Sequence, residues 1–341
     1  MSGETWWQKA IHADRRPFLL ARGAVRRALS AWFEAEGFLE VECAALQVSP
    51  GNETHLHAFA TEFRTDDGAV SPLYLHTSPE FAAKKLLAAG ETRIVDFARV
   101  FRNREAGPLH SPEFTMVEWY RTGADLGRIM ADSVALCREA MKASGRAEFS
   151  WKGMTCDPMA EAEHLTLFEA FERYAGIDLE ALLDDRAGFL AAARNAGIGV
   201  VDDASWSDIF SAVLVSKIEP RLGEGRLTLL QRYPVCEAAL ARACPDDKRF
   251  AERFELYACG VELANGFHEL TDPVEQRARF EADMALKQDL YGETYPIDED
   301  FLAALAQMPD ASGVALGFDR LVVLAAGARS IRDVIWTPVN T

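Results

Sequence analysis

The segment FRNREAGPLHSPEFTMVEWY, Phe101 to Tyr120, reads as the end of one strand, an arginine-bearing loop and a second strand. The loop, Arg104 to Pro112, is rich in Gly and Pro. From Glu113 to Arg121 the alternation puts Phe114, Met116, Glu118 and Tyr120 on one strand face. Such a unit suits a nucleotide plus a cation. Arg102 can fork onto a phosphate, Phe114 offers a flat surface to a purine, and Glu118 beside Tyr120 can receive an ammonium group. Taken alone, the segment is equally a sheet hairpin with solvated charges.

Upstream, Val25, Leu29, Trp32 and Phe33 recur at helical spacing, with Pro17 suited to a first helical turn and Gly37 to the helix end. Strands are expected at Phe38 to Val41, Leu73 to Leu75 and Ile94 to Phe101, with a helix from Glu80 to Ala89 stopped by Gly90. Downstream, residues 125–250 are rich in Ala, Leu, Glu and Arg and predict helix, broken by a short strand at Phe149 to Thr155. A helical insertion is expected over 160–225. Strand character returns at Phe254 to Tyr257 and Val261 to Leu270, a hairpin turning near Cys259 and Gly260. Gly313 to Phe318 is a last short strand before an amphipathic helix from Arg320 to Ala328. Strands clustered at both ends with helices between them predict an α+β fold around an antiparallel sheet. The chain holds no GxxxxGK[ST], strand-borne GxGxxG or HExxH.

A second constellation lies in FELYACGVELANGFHELTD, Phe254 to Asp272. Glu255 and Glu262 fall on adjacent hairpin strands, where two carboxylates can hold Mg²⁺ against ATP oxygens. Strand parity groups Asn265, Phe267 and Glu269, with Glu262 on the opposite parity. A bulge near Ala264 to Gly266 would reconcile the two sets. His268 beside this strand is read as structural.

The 341 residues carry a formal charge of -17, which argues against a broad nucleic-acid-binding face. The six cysteines lie far apart without zinc-site spacing, and reduced thiols are expected. Neither a signal-peptide pattern nor an 18-residue apolar run is present, so a cytoplasmic protein with no membrane partner is expected.

With these residues in place, Phe101 to Tyr120 resembles motif 2 of the class II aminoacyl-tRNA synthetases, and GVALGFDR, Gly313 to Arg320, resembles their motif 3. The resemblance implies that Arg102 holds the α-phosphate of ATP and that Arg320 stacks on the nucleotide with Phe114. Asn103, Arg104, Ser111, Glu262, Leu263 and Gly317 would be further ATP contacts, and Glu255 with Glu262 the magnesium ligands. The NGFHE stretch is similar to the lysine-specific branch. There, Glu269 and Tyr120 would bind the side-chain ammonium, Glu80 and Glu118 the other amino group, and Asn265 the carboxylate region. Ser78, Pro79 and Phe267 would complete the substrate site.

Over its whole length the chain resembles the elongation factor P β-lysine ligase family, a truncated paralogue of lysyl-tRNA synthetase. An anticodon-reading OB domain is not expected, because the first catalytic helix begins near Pro17. Ala315 stands where lysyl-tRNA synthetases have Gly and favours the β-isomer by resemblance. The resemblance implies adenylate formation from β-lysine or lysine, transfer to a lysine of elongation factor P, and a homodimer, with tRNA disfavoured. Three positions depart from the pattern: Ala44 for a motif 1 proline, Arg104 followed by Glu105 for a motif 2 Glu, and Ser111 for an Asn. A minimal tRNA- or amine-charging enzyme and a non-catalytic lysine sensor stay open as alternatives.

Overall fold

Strand-forming runs from both ends of the chain converge on one sheet, in a computed structural model that describes residues 5–238 and 240–339. The first part contributes helix α1 (Lys9–Ala35), strands β1 (Leu39–Glu40), β2 (Leu46–Gln47), β3 (Phe59–Arg64) and β4 (Val70–Leu75), and helix α2 (Glu80–Ala88). Strands β5 (Arg93–Phe101) and β6 (Glu113–Thr122) flank the arginine loop, and α3 (Leu126–Ser144) follows. Next come β7 (Phe149–Trp151), β8 (Met154–Asp157) and β9 (Glu163–Thr166), then helices α4 (Leu167–Ala175), α5 (Arg186–Asn195) and α6 (Trp206–Val213). The last third holds β10 (Gly225–Arg226), β11 (Thr228–Pro234), β12 (Phe250–Ala258), β13 (Val261–His268), α7 (Pro273–Tyr291), α8 (Glu299–Leu305), β14 (Ala311–Gly317), α9 (Phe318–Ala326) and α10 (Ile331–Val334).

The main sheet has eight strands in the order β1-β5-β6-β14-β13-β12-β11-β9. Its six central strands are antiparallel, while β1 and β9 join the edges in parallel. Because side chains alternate across a strand, one face carries the buried row Val117, Leu316, Ala264, Leu256 and Leu229, packed with Val25, Leu29 and Phe33 of α1 and Leu321 and Leu324 of α9. The opposite face is left for polar residues. Helices α4 to α6 bury Phe171, Phe189 and Phe210 in a core of their own, closed by Leu230, Tyr233 and Tyr257 from the sheet.

Several elements differ from the sequence reading. Helix α1 begins at Lys9, so Pro17 lies inside it rather than in its first turn. The turns ahead of the proline are held by the chain end: Arg15 is buried and donates to the carbonyls of Arg332 and Ile335. Residues 125–250 are not a continuous helical region, since β9 and β11 both join the main sheet. Strand β11 lacks a period-two pattern because both of its faces are covered, Leu229 by the main core and Leu230 and Tyr233 by the helical one. The hairpin of β3 and β4 turns over Thr65 to Gly68, where Gly68 N–H donates to Thr65 O at 2.9 Å and Gly68 takes φ +88°, a turn that the sequence reading passed over.

An ion pair locks α1 to α9 beside the arginine loop. Arg22 contacts Asp319 and donates to Thr115 Oγ1 at 2.8 Å, while Thr115 N–H donates to Asp319 Oδ2 at 2.8 Å. Both charges are buried. Asp319→Ala leaves the Arg22 cation unpaired and should destabilise the fold by about 3 kcal/mol, read as a lowered urea midpoint.

Candidate active site

Cross-strand register sorts the polar face of the sheet into rows. Asp96, Glu118, Ala315, Asn265 and Glu255 are successive partners on β5, β6, β14, β13 and β12. Ile94, Tyr120, Gly313, Phe267 and Arg253 form the row beside it. One irregularity completes the arrangement. Leu256 pairs with Ala264 but Tyr257 pairs with Glu262, so Leu263 is the extra residue of a bulge that turns Glu262 toward the face of Asn265. The bulge expected at Ala264 to Gly266 thus lies one residue earlier.

A cavity opens over these rows. Of the residues singled out in the sequence, Ser78, Glu80, Arg102, Ser111, Phe114, Glu255, Glu262, Leu263, Asn265, Phe267, Ala315, Gly317 and Arg320 line it. Arg102 Nε donates to Thr77 O at 3.2 Å, and its guanidinium lies 5.4 Å from the Phe114 ring centre. Arg320 donates to Glu262 O at 3.2 Å and contacts His110 Nε2 at 2.9 Å.

Six other candidates are placed differently. Asn103 is tied through its N–H to His57 O at 2.6 Å, and Pro79 caps α2 beside a smaller neighbouring cavity. Arg104 adopts φ +64° and turns its guanidinium to Glu293, which also contacts His57 Nδ1 at 2.9 Å. Glu105, one residue on, lines the cavity in its place. Glu118, Tyr120 and Glu269 are buried directly behind the wall. Glu118 accepts from Ser78 Oγ at 2.6 Å and from Tyr120 Oη at 2.5 Å.

Lys84 was missed in the sequence, although it stands one helical turn after Glu80 and hence on the same face of α2. Its ammonium is buried between Glu80 and Glu269, 2.6 Å from Glu269 Oε2. Burial opposes that charge, but Glu269 and Glu80 together raise the lysine above its ordinary pKa. Burial, reinforced by Glu80, pushes the Glu118 carboxyl up to about 8. Burial also lifts Glu269 to about 7, against the pull of Lys84. The cluster therefore holds more acid than its own cation neutralises, an arrangement suited to an incoming ammonium group.

Arg253 and Gly313 were also missed. Arg253 pairs with Glu255, whose other oxygen accepts from Tyr233 Oη at 2.6 Å and Tyr257 Oη at 2.5 Å. A Cβ at Gly313 would sit 2.3 Å from the Tyr120 ring and 2.6 Å from Glu269 Oε1. No local pattern announces that requirement. His268 contacts Glu252 at 3.2 Å and Asp310 at 2.9 Å away from the cavity, consistent with a structural residue.

Residues 7–341 match the family of tRNA synthetases class II (D, K and N). The chain is 41% identical over 337 residues to the elongation factor P–(R)-β-lysine ligase of Haemophilus influenzae strain PittGG, covering 98% of each chain. It is 38% identical over 345 residues to the ligase of that name from Klebsiella pneumoniae subsp. pneumoniae, and 40% identical over 341 residues to that of Sodalis glossinidius, again over 98% of each chain. The chain belongs to the elongation factor P–(R)-β-lysine ligase family of class II synthetases. The antiparallel sheet flanked by helices is the architecture anticipated for this family from motifs 2 and 3. In this β-lysine ligase family member, Ala315 sits between Glu118 and Asn265, so its methyl group borders both the acid cluster and the cavity floor.

Two outcomes follow from the acid cluster. Protons occupying Glu118 and Glu269 at pH 6 must leave before a bound diamine can pair with both carboxylates. Lysine affinity should therefore rise by two to three orders of magnitude, roughly 500-fold, between pH 6 and pH 8, with proton release on binding. Calorimetry in buffers of different ionisation enthalpy reads that release, and its absence near pH 7 would show that the carboxyls are already ionised. Separately, Lys84→Met leaves Glu80 and Glu269 without their cation and should cost about 3 kcal/mol in denaturant unfolding, part of it regained on adding lysine.

Proposed function

We propose that the protein is an ATP-dependent ligase that activates (R)-β-lysine, or lysine, as an aminoacyl-adenylate and transfers it to a lysine side chain of elongation factor P. The observation that carries this reading is the meeting of Arg102, Arg320 and Phe114 with Glu80 on one cavity, backed by Glu118, Tyr120 and Glu269. Cations and an aromatic ring suit a nucleoside triphosphate. The acids suit a doubly aminated substrate. The named activity of the relatives from Haemophilus, Klebsiella and Sodalis supports both the amino acid and the acceptor.

The substrate carboxylate attacks the α-phosphorus, its oxygen displacing pyrophosphate. Arg102 and Arg320 offset the charge that builds on the phosphate oxygens, and Phe114 stacks on adenine. Ser111, Leu263 and Gly317 complete the nucleotide site. Glu105 stands in the place from which a carboxylate can accept from the adenine amino group, with Arg104 turned away to Glu293. On the amino-acid side, Glu269 and Tyr120 take the side-chain ammonium and Glu80 and Glu118 the nearer amino group. Asn265 orients the carboxylate, supported by Arg253 Nε at 3.1 Å from its Oδ1. Ser78, Phe267 and Ala315 shape the pocket, and Pro79 starts the helix that carries Glu80 into it.

Magnesium fits the residues present as a substrate-borne ion. Among the described residues no group of three or more His, Cys, Asp or Glu could by itself hold a metal ion. Glu262 and Glu255, which both line the cavity, would supply two hard oxygen donors and the triphosphate the others. The ion would lessen the phosphate charge that opposes attack. A homodimer belongs to the same proposal. The exposed Leu39, Leu46, Val48, Phe63 and Val70 of β1 to β4 and their connections support a pairing surface.

The deciding test is pyrophosphate exchange with α-lysine and each β-lysine enantiomer, followed by mass measurement of elongation factor P. Exchange dependent on one of these amino acids and a matching mass gain on the factor are expected. Exchange without any modified factor would defeat the acceptor assignment. Glu269→Gln should raise the amino-acid KM by roughly 100-fold while leaving the ATP KM within threefold, since Glu269 serves the substrate ammonium and Lys84 and none of the groups proposed for ATP.

A further inference from the structure

We propose that Glu53 is the general base of the acyl-transfer step, taking the proton from the acceptor ammonium at the cavity wall. The assignment rests on the ligase reading above and extends it to the half-reaction for which the sequence offered no base.

Glu53 lies in the loop between β2 and β3 and lines the cavity with Glu80, Arg102 and Asn265. The backbone around it is fixed from outside the cavity. Lys287 Nζ on α7 donates to the carbonyls of Glu53, Thr54 and Leu56 at 3.3, 2.9 and 2.6 Å, and Thr54 Oγ1 donates to Asp283 Oδ1 at 2.7 Å. The loop is thus a strap anchored at several points. Yet no described residue hydrogen-bonds or ion-pairs with the Glu53 carboxylate itself. An acid held at a cavity wall on a rigid strap, with its oxygens unengaged, contributes little to the fold and is poised to accept a proton.

Its surroundings place it at the reacting atoms. The charges that face it are Arg102 from the arginine loop, Glu80 from α2, Asp283 and Lys287 from α7 and Arg253 from β12. Arg102 is the proposed phosphate contact and Glu80 an amino-group contact. The adenylate carbonyl joins those two parts of the intermediate, so it lies between them, where Glu53 faces it. Burial, opposed by Arg102, lifts the Glu53 carboxyl to about 7, a value matched to proton transfer near neutrality. Rival bases are engaged: His110 contacts Arg320, and His268 contacts Glu252 and Asp310.

The step balances as follows. The acceptor R–NH₃⁺ gives one proton to the Glu53 carboxylate, and the nitrogen lone pair attacks the adenylate carbonyl carbon. The C–N bond forms and the bond from that carbon to the phosphate-bearing oxygen breaks. The second nitrogen proton passes to the departing phosphate oxygen, giving the amide and AMP.

Glu53→Gln removes the proton acceptor with little change of shape, and Glu53→Asp keeps it at a shorter reach. Three rates are compared at pH 7: lysine-dependent pyrophosphate exchange, single-turnover transfer from preformed adenylate to elongation factor P, and hydroxamate formation with hydroxylamine. Hydroxylamine is largely unprotonated at that pH and needs no base. In Glu53→Gln, transfer to the factor should fall roughly 100-fold more than either other rate, with partial recovery in Glu53→Asp. The acidic limb of the transfer pH profile should disappear. Equal losses in all three rates would make Glu53 a substrate-binding group and overturn the proposal, as would unchanged transfer. Unmutated protein that exchanges pyrophosphate but never labels the factor would sink the acceptor reading first, and this assignment with it.

Discussion

The pairing of β6 with β14 and of β14 with β13 is the constraint on which the site depends. Because directly opposed residues share a face, register alone lines up Glu118, Ala315 and Asn265, then Glu255 on β12. A slip of one residue in any pair would send these polar groups into the packed face occupied by Trp119, Val314 and Leu256. That face, covered by α1, α3 and α9, penalises any such slip through lost apolar burial. The hydrophobic layer and the polar site therefore enforce one another through the same hydrogen-bonded ladder.

The second organising feature is the management of buried charge. Glu80, Glu118 and Glu269 crowd one end of the cavity with Lys84 as their cation, while Arg253 and two tyrosines hold Glu255 at the other. An uncompensated acid in such a place shifts toward its neutral form, and burial lifts both Glu118 and Glu269 above the ordinary carboxylate range. The strap carrying Glu53 follows the opposite plan. Its backbone is secured by Lys287, and no described residue hydrogen-bonds or ion-pairs with its carboxylate. In the proposed function, the first group of acids exists to be neutralised by substrate and Glu53 exists to be protonated during turnover.

Much of this was legible before any coordinates. Alternation through Glu113 to Arg121 announced the central strand, and the helix from Glu80 followed from its composition and its stop at Gly90. The conflict of parity between Glu262 and Asn265 even required a bulge, which the structure supplies at Leu263. Legibility failed where neighbours distant in the chain decide. Strand β11 carries no alternation because separate cores cover its two faces, and α1 runs through Pro17 because the chain end secures the turns before it.

By itself, the sequence determined the fold class, the residue types able to hold a triphosphate and a diamine, and the motifs that carry them, since period and side-chain chemistry are local properties. Only the tertiary structure decided that Leu263 is the bulged residue, that Arg104 turns to Glu293 while Glu105 lines the cavity, and that Lys84 sits between Glu80 and Glu269. It also decided that nothing larger than hydrogen fits at Gly313. Each of these depends on the register and packing of segments separated by up to some two hundred residues, which long-range burial and hydrogen bonding set and no local pattern encodes.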